Sequence, residues 1–304
     1  MNNATVIVLL STYNGEKYLN AQLMSILNQR DIQVKLIIRD DGSTDSTIQL
    51  LKKFMIDYRD NINCCFGENL GIHKSYDYLY RHAPSGDYYA FADEDDVWDT
   101  DKLSIAIQML EKNNADFYAS ASSLVDKSLK PLYRTTANKE KVEHYQYSSS
   151  KILSPGAQGC TIVITNKLRN LLITYTPSVI FGHDTYITIV AYYLVKCVYD
   201  NQSHMKYRQH DNSWTGNRTE KYKQWRRDIS HFLKGLERYS KLAKEIIDGY
   251  EDLLEKNDYE LLNYLQNSKH SLRDRAKLFF MRDFRKYGLI QTIVFKIALI
   301  FGQV

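Results

Sequence analysis

The residues best suited to chemistry are acids that follow short apolar runs. Asp93-Glu94-Asp95-Asp96 follows Tyr88–Ala92, Asp40-Asp41 comes soon after Val34–Ile38, and the polar-aromatic cluster Thr12-Tyr13-Asn14 comes soon after Val6–Leu10. Asp and Ser are common in turns and at helix starts, which alone could account for Asp40-Asp41-Gly42-Ser43. It accounts poorly for four adjacent acids, which repel one another unless a cation relieves them. Oxygen ligands select a hard divalent ion, Mg²⁺ or Mn²⁺. Such an ion is commonly shared with a diphosphate. The expected ligand is therefore a nucleotide diphosphate, its base stacked near Tyr13 and its edge within reach of Asp41.

These groups need a scaffold that brings them together. The continuous β-branched run Val6–Leu10 reads as a strand buried on both faces. Further strands are expected at Val34–Ile38, Cys64–Phe66, Tyr88–Ala92, Asp116–Ser120 and Thr161–Ile164, with helices of 10–15 residues between the early ones. That alternation predicts βαβ units and a mostly parallel sheet. In such sheets ligands bind beyond the carboxyl ends of the strands, where the acids lie. Residues 127–155 read as a loop-rich insertion, and a helix is expected over Asp184–Val195. From Thr219 onward strands give way to charged helices, so the chain divides into an α/β body (1–217) and a helical C-terminal region (218–304).

Composition narrows the class. Charged residues make up 25% of the 304 residues and hydrophobic ones 44%, ordinary globular values. The formal charge of +4 is too even for a protein that coats nucleic acid. The four cysteines show no C-x-x-C spacing, so zinc and a disulfide framework are not expected. No signal peptide and no membrane span is recognisable, which predicts a cytoplasmic protein. After the first strand there is neither G-x-G-x-x-G nor G-x-x-x-x-G-K-[ST], which disfavours Rossmann dehydrogenases and P-loop NTPases.

Three blocks, in this order, carry a resemblance: Val6–Gly15, Ile38–Asp45 and Phe91-Ala92-Asp93-Glu94-Asp95-Asp96-Val97-Trp98. Together they resemble the family-2 glycosyltransferases with the GT-A fold. Bacterial rhamnosyltransferases of cell-wall and capsular polysaccharide synthesis share a similar F-x-D-x-D-D-V-W block and a later Y-R-Q-H block, here Tyr207-Arg208-Gln209-His210. The resemblance covers about residues 4–217. It implies that Thr12, Tyr13, Glu16 and Asp41 hold the nucleotide base and that Asp93 faces the ribose. It implies Asp95 as metal ligand, joined by His210, and Asp184 of the His183-Asp184 pair as catalytic base. Arg208 beside His210 suits phosphate recognition. Asp96 is a further polar contact. Gly159 belongs to a small-residue segment near the acceptor, and Trp98 is either core or a lid over the metal site.

A base is chemically required, because a sugar hydroxyl is a poor nucleophile until a carboxylate takes its proton. One displacement with one base inverts the anomeric centre. The implied reaction is metal-dependent, inverting transfer of one sugar from a dTDP- or UDP-sugar to a growing, lipid-linked cell-surface glycan. The resemblance suggests rhamnose, with hexoses and N-acetylhexosamines as alternatives. A nucleotidyltransferase should show a Gly-rich loop after strand one, which Ser-Thr-Tyr-Asn-Gly is not. A non-catalytic sugar-binding module would not need Asp93, Asp95 and Asp184 intact. Residues 264–304 carry eight basic and two acidic side chains among apolar ones. That pattern predicts either an anionic membrane surface as partner, making the enzyme peripheral at the inner face of the cell membrane, or a helical bundle packed on the body or in a homodimer.

Overall fold

The computed structural model describes residues 4–135, 151–153, 157–179, 181–210, 237–281, 284 and 289–300. β1 (Thr5–Thr12) runs through the centre of a nine-stranded sheet. It pairs in parallel with β2 (Gln33–Asp40) and β4 (Tyr88–Ala92), and β2 pairs in parallel with β3 (Ile62–Phe66). The connecting helices are α1 (Leu19–Leu27), α2 (Thr47–Asp57) and α3 (Ile72–His82). β5 (Val97–Trp98), α4 (Lys102–Asn113), β6 (Phe117–Val125), β7 (Pro131–Thr135), β8 (Val163–Thr165), α5 (Asn166–Thr174), α6 (His183–Leu194) and β9 (Cys197–Arg208) complete the body. The strand order is β3-β2-β1-β4-β8-β6-β9-β5, with β7 paired to β6.

Both faces of β1 are covered, which explains its unbroken apolar run. Ile7 and Leu9 join one core with Tyr76 of α3, Ile187 and Val190 of α6, and Leu168 of α5. Val6, Val8 and Leu10 join the other with Leu19 and Leu23 of α1, Leu51 of α2 and Leu103 of α4. The six expected strands are present, Tyr88–Ala92 with the bounds expected and the other five with shifted ends. The parallel character holds from β3 to β4, and beyond β4 the sheet is mixed. β8 pairs antiparallel with β4 and β6, while β9 runs parallel to β6. A 3-10 turn at Gly159–Thr161 delays β8 by two residues against expectation. Residues 197–208, for which no strand is expected from the pattern, form a twelve-residue strand.

The tail is helical in its described parts: α7 (237–250), α8 (Lys256–Asn267), α9 (Leu272–Phe280) and α10 (Leu289–Ile300). Leu242, Ile246, Leu261, Leu265, Leu278, Phe284, Phe295 and Leu299 are buried in the same cluster as Ile7, Leu9 and Val190. Each such side chain contributes about 1.5–3 kcal/mol on full burial. The inner face of the tail therefore packs on the body. The 217/218 division remains a proposal about organisation, since 211–236, with Gln224-Trp225-Arg226-Arg227, lie outside the described residues.

Candidate active site

The carboxyl ends of β1, β2 and β4 meet as expected. Asn14 takes a left-handed conformation (φ 55°). Its side chain accepts from Thr44 N–H at 2.8 Å, and its own N–H donates to Ser43 Oγ at 2.9 Å. These bonds tie the β1 turn to the β2 turn and leave the Tyr13 ring exposed at the mouth. Asp41 is buried beneath it. Arg39 pairs with its carboxylate, and the N–H groups of Leu70 and Gly71 donate to it at 2.8 and 2.9 Å. A carboxylate has about four acceptor positions. One therefore remains for a donor from a ligand, such as a base N–H.

The four acids after β4 point in different directions. Asp93 accepts from Tyr76 Oη at 3.0 Å, while the same hydroxyl also reaches the Ala92 carbonyl at 2.6 Å. Glu94 turns back to β1, where it accepts from the Thr12 hydroxyl and, at 2.8 Å, from Tyr13 N–H. Asp95 meets His210 Nε2 at 2.8 Å. Asp96 is fully buried and accepts from Arg208 N–H at 3.1 Å. Repulsion is thus divided among separate partners, but not removed. Burial, and then Asp95, push Asp93 upward. Burial pushes Glu94 up to about 8 against its bonds to Thr12 and Tyr13. A cation at the mouth would relieve the strain.

α6 faces this mouth from across the sheet. Its N-terminal cap is Gly182, so Asp184 lies in the first helical turn, where the helix dipole favours a carboxylate. Asp184 stands against Gly159, whose neighbour Cys160 brings its thiol within 4.8 Å of an Asp93 oxygen, so the start of α6 adjoins the acids after β4. His183 is packed inward. Its ring stacks on Tyr76 with centroids 3.8 Å apart, and burial pushes its pKa down to keep the imidazole neutral. Gly159 permits this approach: a Cβ there would lie 2.7 Å from His183 Nε2 and 3.5 Å from Asp184 Cβ. The prediction is direct. Gly159→Ala should cost about 1–3 kcal/mol through overpacking and displace Asp184, lowering both melting temperature and turnover. Wild-type values for both would show that the pocket has slack.

Arg208 was expected to meet phosphate. It is buried, with Nε donating to the Asp95 carbonyl at 2.6 Å and Nη1 to the Lys127 carbonyl at 2.7 Å. Its guanidinium lies 4.4 Å from the Tyr18 ring, which also lies 5.0 Å from the His210 ring. Arg208 therefore braces the Asp95 loop. Glu16 is engaged at the start of α2, where its carboxylate accepts from Ser46 N–H at 2.8 Å. Trp98 belongs to the core, with the buried Lys102 Nζ 3.6 Å from its ring centroid.

The donor set fits a hard cation at Asp95 and His210, an oxygen and an imidazole nitrogen already in contact. A second cluster, Asp93, Asp96 and Cys160, brings one ligand atom from each within 4.8 Å of the others. The Cys160 thiol is buried and pushed well above its usual range by that burial, by Asp96 and by Asp93. It therefore stays protonated and suits such an ion poorly. Three contributors were not singled out from sequence, Arg39, Tyr76 and Tyr18, and Glu94 was given no role of its own. Glu94 was hidden as the variable position of the D-x-D. The one signal for Arg39 was its position between the Val34–Ile38 run and Asp40-Asp41.

Comparison with known proteins agrees with this architecture. Residues 7–169 match the family described as glycosyl transferase family 2. A dTDP-rhamnosyl transferase, RfbG of Shigella flexneri, is 30% identical over 223 residues, spanning 68% of this chain and 73% of that one. A UDP-Glc:alpha-D-GlcNAc-diphosphoundecaprenol beta-1,3-glucosyltransferase of Escherichia coli, WfgD, is 26% identical over 195 residues, 62% of this chain and 69% of that one. Among solved structures, S. aureus TarS 1-349 in complex with UDP-GlcNAc superposes with a TM-score of 0.60 at 18% identity, covering 91% of this chain and 76% of that one. The mannosyltransferase PcManGT from Pyrobaculum calidifontis, in complex with GDP-Man and Mn²⁺, gives 0.51 at 15% identity, covering 100% and 86%. The fold is the GT-A fold, and the chain is a glycosyltransferase belonging to glycosyl transferase family 2.

Proposed function

We propose that this enzyme transfers one rhamnosyl residue, with inversion, from a dTDP-sugar to a growing, lipid-linked cell-surface glycan at the inner face of the membrane. One observation supports this reading most: Asp95 meets His210, and Asp184 at the start of α6 adjoins the segment Gly159-Cys160 that borders Asp93. The identity of the sugar rests on likeness to RfbG alone. In this reading Tyr13 stacks on the base, Asp41 accepts from its edge, and Thr12 is held beneath by Glu94. Asp93 faces the ribose. Asp95 and His210 hold Mn²⁺ or Mg²⁺, which when bound neutralises charge on the leaving diphosphate. Arg208 fixes the loop that carries Asp95. Asp184 takes the proton of the acceptor hydroxyl as the new glycosidic bond forms. No enzyme nucleophile is assigned, so a single displacement inverts the anomeric centre.

Transfer of a hexose or N-acetylhexosamine from a UDP-sugar is the second reading, favoured by the UDP-sugars named for WfgD and TarS. A thermal-shift panel of dTDP- and UDP-sugars with Mn²⁺ separates the two. A ligand present at about 100 times its Kd stabilises by about 2.7 kcal/mol. The expected result is a metal-dependent rise with dTDP-rhamnose and little with UDP-GlcNAc. The reverse order would replace the first reading by the second.

A further inference from the structure

α9 and α10 form an antiparallel pair on the outside of the tail. Arg275 Nη1 donates to the Ile300 carbonyl at 3.3 Å, and Lys296 Nζ to the Phe279 carbonyl at 2.8 Å. One side of the pair is spent on the core through Leu278, Phe295 and Leu299. The opposite side is also apolar. Leu272 and Phe280, 76% and 81% exposed, lie eight residues apart on α9. Ile293, Ile297 and Ile300 are exposed at i, i+4 and i+7 on α10. An amphipathic helix normally presents its polar face to water, and these two helices present apolar stripes. Contiguous exposed apolar surface marks a site of attachment.

The charge around the stripes selects the occupant. From Lys269 to Lys296 the sequence holds eight basic and two acidic side chains. A second copy of the chain would bring the same positive surplus and be repelled, whereas anionic lipid would be attracted by about 1 kcal/mol per Lys or Arg near the surface. Among the described residues no helix is long and apolar enough to cross a membrane, so the pair would lie on the bilayer.

We propose that the outward face of α9 and α10, centred on Leu272, Phe280, Ile293 and Ile297, docks on an anionic membrane surface. This deepens the proposed function by naming the surface on which a lipid-linked acceptor is met. It is tested without donor or acceptor, so its failure is distinguishable from failure of that reading.

The full chain is sedimented with vesicles of phosphatidylcholine alone and of phosphatidylcholine with phosphatidylglycerol, at low and high salt. Wild type should bind the anionic vesicles at low salt, release with added salt and ignore the neutral ones. Ile293→Glu combined with Ile297→Glu should lower binding by at least about tenfold with an unchanged melting temperature. Leu272→Glu combined with Phe280→Glu gives an independent pair should the first fail to fold. Absence of wild-type binding at low salt would overturn the proposal, as would variants that bind like wild type. A lipid-independent dimer that these substitutions dissociate would assign the face to a second copy instead.

Discussion

Asp95→Ala should abolish transfer and remove any Mn²⁺-dependent stabilisation by dTDP or UDP. The expectation follows from how Asp95 is held. Its backbone carbonyl is fixed by Arg208, and its carboxylate meets His210 with little other support. The substitution removes a donor oxygen and leaves the Arg208 brace intact, so the fold should survive. A cation on the leaving diphosphate is worth several kcal/mol of transition-state stabilisation. At about 1.4 kcal/mol per factor of ten, a loss on the order of 10³-fold or more is expected. His210→Ala should give a smaller loss, because the remaining acid and the diphosphate still supply oxygens. The measurements are initial rates and melting curves over a Mn²⁺ titration. Undiminished activity in Asp95→Ala, or full wild-type activity in excess chelator, would falsify the metal-dependent reading.

Much of the scaffold was legible because its physics is local. Val6–Leu10 reads as a doubly buried strand because its residues alternate between two apolar cores, and the acids fall at strand ends because the sheet places them there. β9 was missed for an equally physical reason. Its buried positions include Asp200 and Arg208 beside Cys197, Val198 and Met205, so polar residues interrupt the apolar pattern. Asp200 is satisfied partly within its own strand, by His204 Nε2 at 3.0 Å and Gln202 N–H at 2.8 Å, and partly by the distant Tyr118 Oη at 3.4 Å, which only the fold brings to it. The site shows the same limit. A run of four acids reads as one cluster, yet each acid has its own partner, and those partners sit on β1, α3 and the segment Arg208–His210. For Arg208 the one-dimensional pattern suggested only phosphate, and could not reveal that two of its five guanidinium N–H groups hold the Asp95 and Lys127 carbonyls. The tail packs one face on the body and leaves apolar residues exposed on the other. Point substitutions on the outer face therefore test it better than truncation, which would strip Leu278, Phe295 and Leu299 from the core.

Asp184→Asn tests the mechanism most directly. If Asp184 is the base, asparagine keeps the shape but cannot take the acceptor's proton. General-base assistance is worth about 10²–10⁴ in rate, and turnover should fall by that order. Donor binding should persist, because the groups proposed to hold the nucleotide and the ion lie at the ends of β1, β2 and β4 and near His210. The competing explanation is a helix-start role, in which the carboxylate serves only the first turn of α6. The structure limits that role: Gly182 is the cap, and among the described residues the Asp184 carboxylate accepts from Thr185 N–H at 2.6 Å and Thr185 Oγ1 at 3.3 Å. Asparagine can accept the same bonds, and the dipole interaction lost with the charge is worth about 0.3–1 kcal/mol. A helix-start role thus predicts near-silence in rate and a small change in melting temperature, while the base role predicts the reverse. The two diverge by orders of magnitude in one number, the transfer rate at saturating donor and acceptor. A rate within a few-fold of wild type would remove Asp184 from the mechanism and return the search to the acids at Asp93–Asp96, of which Glu94, pushed up to about 8 by burial, and Asp96, pushed well upward by burial and by Asp95, are poorly suited to accept a proton near pH 7.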